Sequence, residues 1–182
     1  MYITSQDIVA NTAIDKSPTT IAQAVPTLKN FLLYKDPSDR FTIQYPAAWE
    51  KIEYPHNLIS ELGRHLVVTF LSPVVGSIPN FRTYLQVEIV TKGIPSFNSD
   101  NATTTALAGN LAYKITKFSI EGHDKIERTE LWTRIDNKAY HITYATIATQ
   151  YAVYHPTIQA MLNSFDLVQL ASSDNLASAY GH

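Results

Sequence analysis

The sequence contains no cysteine and little charge. With no cysteine among 182 residues, disulfides, thiolate metal sites and cysteine nucleophiles are excluded. Charged residues make up 16% of the chain, against about 25% in a typical globular protein. The net charge is −2, so the chain has no basic field that would attract nucleic acid. We therefore expect no nucleic-acid partner.

Long apolar runs are also missing. No stretch approaches the roughly 20 consecutive apolar residues that a membrane-spanning helix needs, so we expect no transmembrane segment. Residues 1–4 lack the basic and apolar regions of a signal peptide. This start is compatible with a cytoplasmic chain and with an exported chain whose leader was removed.

Motifs for catalysis are absent from the sequence. It contains no GxSxG elbow, no SxxK and no HExxH, so we expect a protein that is not an enzyme. Six histidines are present, and His56, Glu61 and His65 lie close together. Their offsets of five and four residues do not share one helix face well. They are either a candidate metal site or an unrelated surface group, and we expect no cofactor other than such a metal ion.

Alternating apolar residues mark three strands in the second half of the chain. They cover residues 112–120, 128–135 and 138–146, and are separated by residues 122–124 and by Asp136-Asn137. A helix follows, because Ile158, Met161, Leu162 and Phe165 form one apolar stripe. Pro156 predicts a helix that starts near His155 or kinks there. Such a meander needs a wider sheet to be stable.

Earlier segments can supply the rest of that sheet. Alternation predicts strands at 31–35, 40–45, 65–71 and 83–91, with Trp49 as a core anchor. Residues 93–109 are polar and predict a loop, which carries the sequon Asn101-Ala102-Thr103 and so a glycosylation site at Asn101. We divide the chain into an arm or linker (residues 1–30), one domain (31–168) and a loosely held tail (169–182).

The two-residue break at Asp136-Asn137 fixes a register between two strands. It places Trp132 opposite His141 and Glu130 opposite Thr143, with Arg134 on the same side. A histidine beside a carboxylate, an arginine and a tryptophan could bind an anion or a sugar. The alternative is a cross-strand packing pair. The candidate ligand-binding residues are therefore Trp132, His141, Glu130 and Arg134.

Three stretches in a fixed order resemble the PsbP-like family. They are FTIQYPAAW (41–49), LAGNLAYK (107–114) and the segment from Trp132 through KAYHITY (138–144) to Phe165. The resemblance spans roughly residues 31–168. It implies an α+β fold, an α/β/α sandwich with helices packed on the faces of a central antiparallel sheet. Residues 94–107 are shorter and more polar than the helix that the family has there.

The resemblance also implies a function. Domains of this family are non-enzymatic and exported; in photosynthetic organisms they sit on photosystem II and help retain calcium and chloride. Related domains are secreted or membrane-tethered. We accordingly expect an extracytoplasmic accessory module that docks on a cell-surface or membrane-associated protein assembly. It would bind a protein partner or assemble with copies of itself. Association with a membrane surface is part of this expectation. The alternative is a carrier of a small ligand or metal ion on the second sheet face.

Overall fold

The computed structural model describes residues 30–38, 40–55, 61–74, 81–96 and 102–168. Within these ranges the chain forms ten strands and one α-helix. Their order is β1 (Phe31–Lys35), β2 (Phe41–Pro46), β3 (Glu50–Glu53), β4 (Arg64–Leu71), β5 (Tyr84–Val90), β6 (Thr103–Leu107), β7 (Asn110–Glu121), β8 (Asp124–Ile135), β9 (Lys138–Ile147), α1 (Tyr151–Asn163) and β10 (Asp166–Leu167).

The strands form two antiparallel sheets. The larger sheet has the order β3-β4-β5-β9-β8-β7-β6, and the smaller has the order β1-β2-β10. The predicted meander is confirmed as β7, β8 and β9, which pair in sequence. Gly122 and Asp136 adopt positive φ angles of 65° and 53° in its two hairpin turns, as Gly and Asp tolerate.

The core lies on one face of the seven-stranded sheet, which we call the first face. Both α1 and the smaller sheet pack on it: Phe41 of β2 and Phe165 after α1 have ring centroids 5.3 Å apart, and Tyr45 of β2 stacks on Phe70 of β4 at 4.6 Å. The predicted anchor Trp49 and three residues of the predicted helical stripe are buried in this cluster together with five residues of the large sheet, and Leu162 packs against it partly buried. The nine are Trp49, Phe70, Val87, Ile89, Ile142, Tyr144, Ile158, Met161 and Phe165.

The helix begins earlier than its proline suggested. A 3₁₀ turn over Ala148–Gln150 leads directly from β9 into α1, so the helix starts at Tyr151 and Pro156 lies inside it. Of the two alternatives, a helix that starts near His155 is therefore wrong, and a kink at the proline stays a prediction. A proline at this position cannot donate a backbone hydrogen bond to the carbonyl of Ala152. Before the proline, Tyr154 packs against the core, with its ring centroid 6.1 Å from that of Trp49.

Three short strands were not predicted. Residues 93–109 were expected to form a loop, but Thr103–Leu107 pairs with β7, in the register Thr103↔Lys114. The turn that joins them uses Ala108 and Gly109 at φ angles of 49° and 73°. A run of three threonines suits a strand because β-branched side chains favour extended backbone. Strands β3 and β10 are too short for alternation to reveal.

The described residues place one helix against the first face and none against the other, second face. The expected arrangement had helices on both faces; in the described residues only the first face carries a helix. The predicted arm, apart from residue 30, and the tail from residue 169 onward lie outside the described residues, so the domain boundaries stay predictions. In the described part of the chain, no helix has the length and apolarity needed to cross a membrane.

Candidate functional site: the second sheet face and the free edge of β7

Trp132 and His141 are directly opposed across β8 and β9, as the turn predicted, and Glu130 is opposite Thr143. The indole and imidazole rings stack with centroids 3.7 Å apart and planes inclined by 13°. Alternation along the strands puts both on the second face, away from α1. Trp132 is 4% exposed and His141 is 8% exposed, so little of either ring reaches solvent.

Two further strands contribute side chains to this group. Glu88 of β5 is the cross-strand partner of His141, and its Oε2 lies 3.0 Å from His141 Nδ1. Arg64 of β4 donates to both Glu88 oxygens, over 3.0 and 2.5 Å, and its guanidinium carbon lies 5.7 Å from the centroid of Trp132. We call Arg64, Glu88, Glu130, Trp132 and His141 the second-face cluster. It links four neighbouring strands.

The contacts of His141 decide which of its nitrogens carries a proton. An ionised carboxylate only accepts hydrogen bonds, so Nδ1 must donate to Glu88. Its 3.3 Å approach to Arg64 Nη2 is then a contact between two donors and not a hydrogen bond. On the other side, Nε2 lies 3.0 Å from the Thr143 hydroxyl and 3.8 Å from Glu130 Oε2. Both ring nitrogens therefore have polar partners.

The carboxylates of the cluster are held in their charged form. Burial alone would raise the pKa of Glu88, but hydrogen bonds from His141 and Arg64 lower that pKa to about 2. Burial also acts against the charge of Glu130, whose pKa is nevertheless lowered by hydrogen bonds from Lys117 and Trp132. The Lys117 Nζ to Glu130 Oε1 distance is 2.9 Å. Two cations thus balance two anions around the histidine.

Of the four predicted ligand-binding residues, the structure brings Trp132, His141 and Glu130 together. Arg134 is on the same side of β8 but is exposed, and its Nε donates to the carbonyl oxygen of Asp136 in the turn at 3.1 Å. The cation that lies over the indole ring is the guanidinium of Arg64, a residue that the sequence analysis did not include in the site. The sequence offered only part of the information needed to find these residues. The alternation of β5 places Glu88 on the outward side, but the local sequence does not determine which strands lie next to β9.

The geometry of the cluster favours a structural role. Its polar groups bond to one another, and the stacked ring of Trp132 is too enclosed to offer a broad surface to a sugar. The cross-strand packing alternative therefore accounts for the stack. The assignment of Trp132, His141, Glu130 and Arg134 to ligand binding stays a prediction.

The remaining site predictions fall partly outside the described residues. Both His56 and Asn101 lie there, so the metal site and the glycosylation site stay predictions. Glu61 is exposed in the turn before β4, whereas His65 is a buried residue of β4 itself. Within the described ranges, no group of three His, Cys, Asp or Glu side chains could hold a metal ion.

A free strand edge lies beside the second-face cluster. Strand β6 pairs with β7 only as far as Lys114, whereas β8 pairs with β7 as far as Glu121. Residues 115–121 of β7 therefore have a strand partner on one side only, among the strands that the structure describes. In an antiparallel strand, alternate N–H and C=O groups point to either side. Within the described part of the chain, the outer side of this segment thus presents backbone groups that lack a strand partner.

Exposed apolar side chains accompany this edge. Phe118 is 57% exposed and Ile120 is 70% exposed, although both belong to a strand. They lie on one side of β7, two residues apart, and the Lys125 ammonium sits 4.1 Å from the centroid of Phe118. Large apolar residues are normally buried, and a contiguous exposed group of them often marks an interaction site. Residues 115–121 form what we call the free edge.

Comparison with known proteins gives the fold. No protein-family model matches the chain, and no curated protein matches its sequence. A crystal structure from Bacteroides thetaiotaomicron superposes with a TM-score of 0.56 at 12% identity, over 79% of this chain and 50% of that one. The chain thus spans half the length of that protein.

Two further solved structures are similar along nearly their whole length. The cyanobacterial PsbP (CyanoP) of Synechocystis has a TM-score of 0.52 and 15% identity, over 83% of this chain and 99% of that one. LpqN of Mycobacterium tuberculosis, described as involved in cell envelope biogenesis, has a TM-score of 0.52 and 7% identity, over 76% and 91%. The resemblance seen in the sequence is confirmed at the level of the fold, and this chain has a PsbP-like fold.

Proposed function

We propose that the chain is a non-catalytic, PsbP-like accessory module that docks outside the cytoplasm on a cell-surface or membrane-associated protein assembly. The observation that carries the proposal is the free edge of β7. It combines unpaired backbone groups with Phe118 and Ile120, which are more than half exposed. A partner that supplies an extended segment can add a strand there.

The chemistry of the free edge suits strand addition. Backbone hydrogen bonds would give affinity without demanding a particular sequence, and the two apolar side chains would select a partner strand with apolar residues two apart. Full burial of a Phe or Ile side chain is worth about 1.5–3 kcal/mol. Two such anchors, with up to seven residues of backbone pairing, are enough for a specific but reversible contact.

The extracytoplasmic location is part of the same proposal. It is supported by the fold shared with CyanoP and with LpqN, a protein involved in cell envelope biogenesis. Fractionation of cells that make the native chain tests it. The protein should be recovered outside the cytoplasm. Its mass should include a glycan that a glycosidase removes, and this added mass should be absent from the Asn101→Gln variant. Recovery in the cytosol alone, with an unprocessed N-terminus, would contradict the location.

The alternative function, a carrier of a small ligand or metal ion on the second face, has less support. A cargo on this face would have to bind Glu88, His141 or Glu130. These side chains already contact one another, Arg64 or Lys117. A cargo would have to replace these contacts. We therefore place the docking function first.

Site-specific crosslinking tests the docking surface. A photoreactive amino acid at position 118 or 120 should give an adduct with one protein in native cells. The matched control is Leu33 of β1, which is 64% exposed on the other sheet and should give no such adduct. Equal crosslinking from all three positions, or none from 118 and 120, would contradict the proposal.

Reconstitution with the crosslinked protein then measures the contribution of the two anchors. The double variant Phe118→Asp and Ile120→Asp should bind at least about tenfold more weakly, since each factor of ten corresponds to about 1.4 kcal/mol. Leu33→Asp should bind like the unchanged chain. Because all three positions are exposed, the folded state should lose little stability. If the double variant binds with unchanged affinity, the free edge is not the docking surface.

A further inference from the structure

A cleft of about 810 Å³ opens where the ends of the two sheets meet. Its walls come from four places: the β1–β2 turn, the β6–β7 turn, the β8–β9 turn and the chain around β10. Ligand pockets typically measure about 300–1,000 Å³. The cleft lies on the core side of the large sheet, so it shares no residue with the second-face cluster or the free edge.

Tyr140 of β9 is the central side chain of this cleft. It is 7% exposed, and its ring packs edge-on against Phe41 and Phe165 at centroid distances of 6.5 and 6.3 Å. The phenol borders the cleft, and within the described residues no hydrogen bond joins its hydroxyl to the protein. The hydroxyl borders the cleft, so it can exchange hydrogen bonds with water or with a molecule bound there.

The phenol is a neutral donor under ordinary conditions. Burial raises the pKa of Tyr140, and the nearby Asp36 and Asp136 carboxylates raise it further, against the opposing effect of Arg40. The hydroxyl can therefore donate one hydrogen bond and accept another.

The charges around the cleft are mixed in sign. Arg40 is held by the fully buried Asp36, with its Nε 2.6 Å and its Nη2 2.8 Å from the carboxylate oxygens. Lys138 supplies a second cation, and Asp136 and Asp166 supply two anions. A ligand with net charge of either sign would meet repulsion as well as attraction.

The neutral polar groups complete the lining. Asn110 donates from its side-chain amide to the Ala108 carbonyl at 2.8 Å, which leaves its amide oxygen as an acceptor. Asn137 and Ser38 add further donors and acceptors. A lining this polar is poorly matched to an apolar ligand, because each buried polar group would lose its hydrogen bonds to water.

We propose that the cleft between the two sheets binds a neutral, hydroxyl-rich small molecule, a carbohydrate of one or two sugar units. Each sugar hydroxyl can donate and accept at once, which matches a lining of amides, carboxylates and hydroxyls. Tyr140 would contribute its hydroxyl from the floor of the cleft. This role is independent of docking at the free edge, since the two surfaces have no residue in common.

Titration of the isotope-labelled full chain, followed by amide NMR shifts, tests the site. The probes are glucose, N-acetylglucosamine, maltose and cellobiose, with inorganic phosphate and glycine as charged comparisons. At least one sugar should shift amides confined to the lining of the cleft, at residues 38, 40, 108–110, 135–140 and 166–168. No response to any sugar, shifts located elsewhere, or a stronger response to phosphate or glycine would overturn the proposal.

A one-atom variant separates binding from folding. Tyr140→Phe removes a hydroxyl that makes no bond to the described protein, so thermal stability should stay unchanged. Affinity for the responding sugar should fall by roughly 2- to 12-fold, as expected for one net hydrogen bond. The matched control is Tyr45→Phe in β2, which is 8% exposed and does not line the cleft; its affinity should not change. Equal affinity of Tyr140→Phe and the unchanged chain would refute the role of this hydroxyl.

Discussion

His141 lies flat against Trp132 across the β8–β9 pair, with ring centroids 3.7 Å apart. The contact is the last link of a chain of side chains that runs from Arg64 of β4 through Glu88 of β5 to His141 of β9 and Trp132 of β8. Charge-assisted hydrogen bonds within it are about twice as strong as neutral ones. The second face of the sheet is thus tied together by side chains along the strand order, where the described residues provide no helix.

The pH dependence of stability should report on Glu88. Its folded pKa of about 2 lies below its usual value of 4.5, so the stabilising effect is complete above pH 4.5 and is lost as the pH falls toward 2. Glu88→Gln should be less stable than the unchanged chain at neutral pH, and the difference should shrink across that window. Urea unfolding at a series of pH values measures this.

A control residue makes the pH experiment specific. Glu61 is exposed in the turn before β4, so Glu61→Gln should leave the free energy of unfolding nearly unchanged at every pH. A difference between Glu88→Gln and the unchanged chain that stays constant from pH 7 to pH 2 would show that the carboxylate of Glu88 is not held by Arg64 and His141.

The stack of Trp132 on His141 should appear as a coupling energy. In a double-mutant cycle with Trp132→Leu and His141→Ala, the two changes should be non-additive by about 0.5–1.5 kcal/mol, the usual value for a pair of aromatic rings. Trp132→Leu combined with Met161→Ala, on opposite faces of the sheet, should be additive within about 0.5 kcal/mol. Additivity in the first cycle would mean that the rings do not interact.

The contact of α1 with the sheet should depend on Met161 more than on Leu162. Met161 is fully buried, whereas Leu162 is only partly buried against the same cluster. Met161→Ala should destabilise the fold by about 2–5 kcal/mol, and Leu162→Ala should cost less. Chemical denaturation of both variants provides the comparison. Equal losses, or no loss for Met161→Ala, would rule out this packing of the helix.

Replacement of the proline inside α1 should stabilise the protein. Pro156→Ala restores a backbone N–H that can donate to the Ala152 carbonyl, and an interior proline costs about 3 kcal/mol in a helix. The unfolded chain gains freedom worth up to about 1 kcal/mol, so the expected net gain is up to about 2 kcal/mol. Val153→Ala, at another exposed position of α1, is the control. A loss of stability in Pro156→Ala would indicate that the helix begins after residue 155.

Local sequence was sufficient for the meander, its turns and its apolar faces. Alternation with period two fixes which side chains of β8 and β9 share a face, and the two-residue turn at Asp136-Asn137 fixes their register. The pairing of Trp132 with His141 therefore follows from the sequence. The helical stripe of Ile158, Met161 and Phe165 is equally local, because both periods depend only on backbone geometry.

Only the tertiary structure decided which strands became neighbours. Arg64 and Glu88 lie 77 and 53 residues from His141, and no local pattern encodes that β5 inserts between β4 and β9. The sequence likewise could not show that β6 pairs with β7 only as far as Lys114, so that among the described strands residues 115–121 have a partner on one side only. Nor could it show that three turns and the chain around β10 line the cleft that Tyr140 borders. Strand order is set by the burial of all apolar faces at once, which is a property of the assembled sheet and not of any one segment.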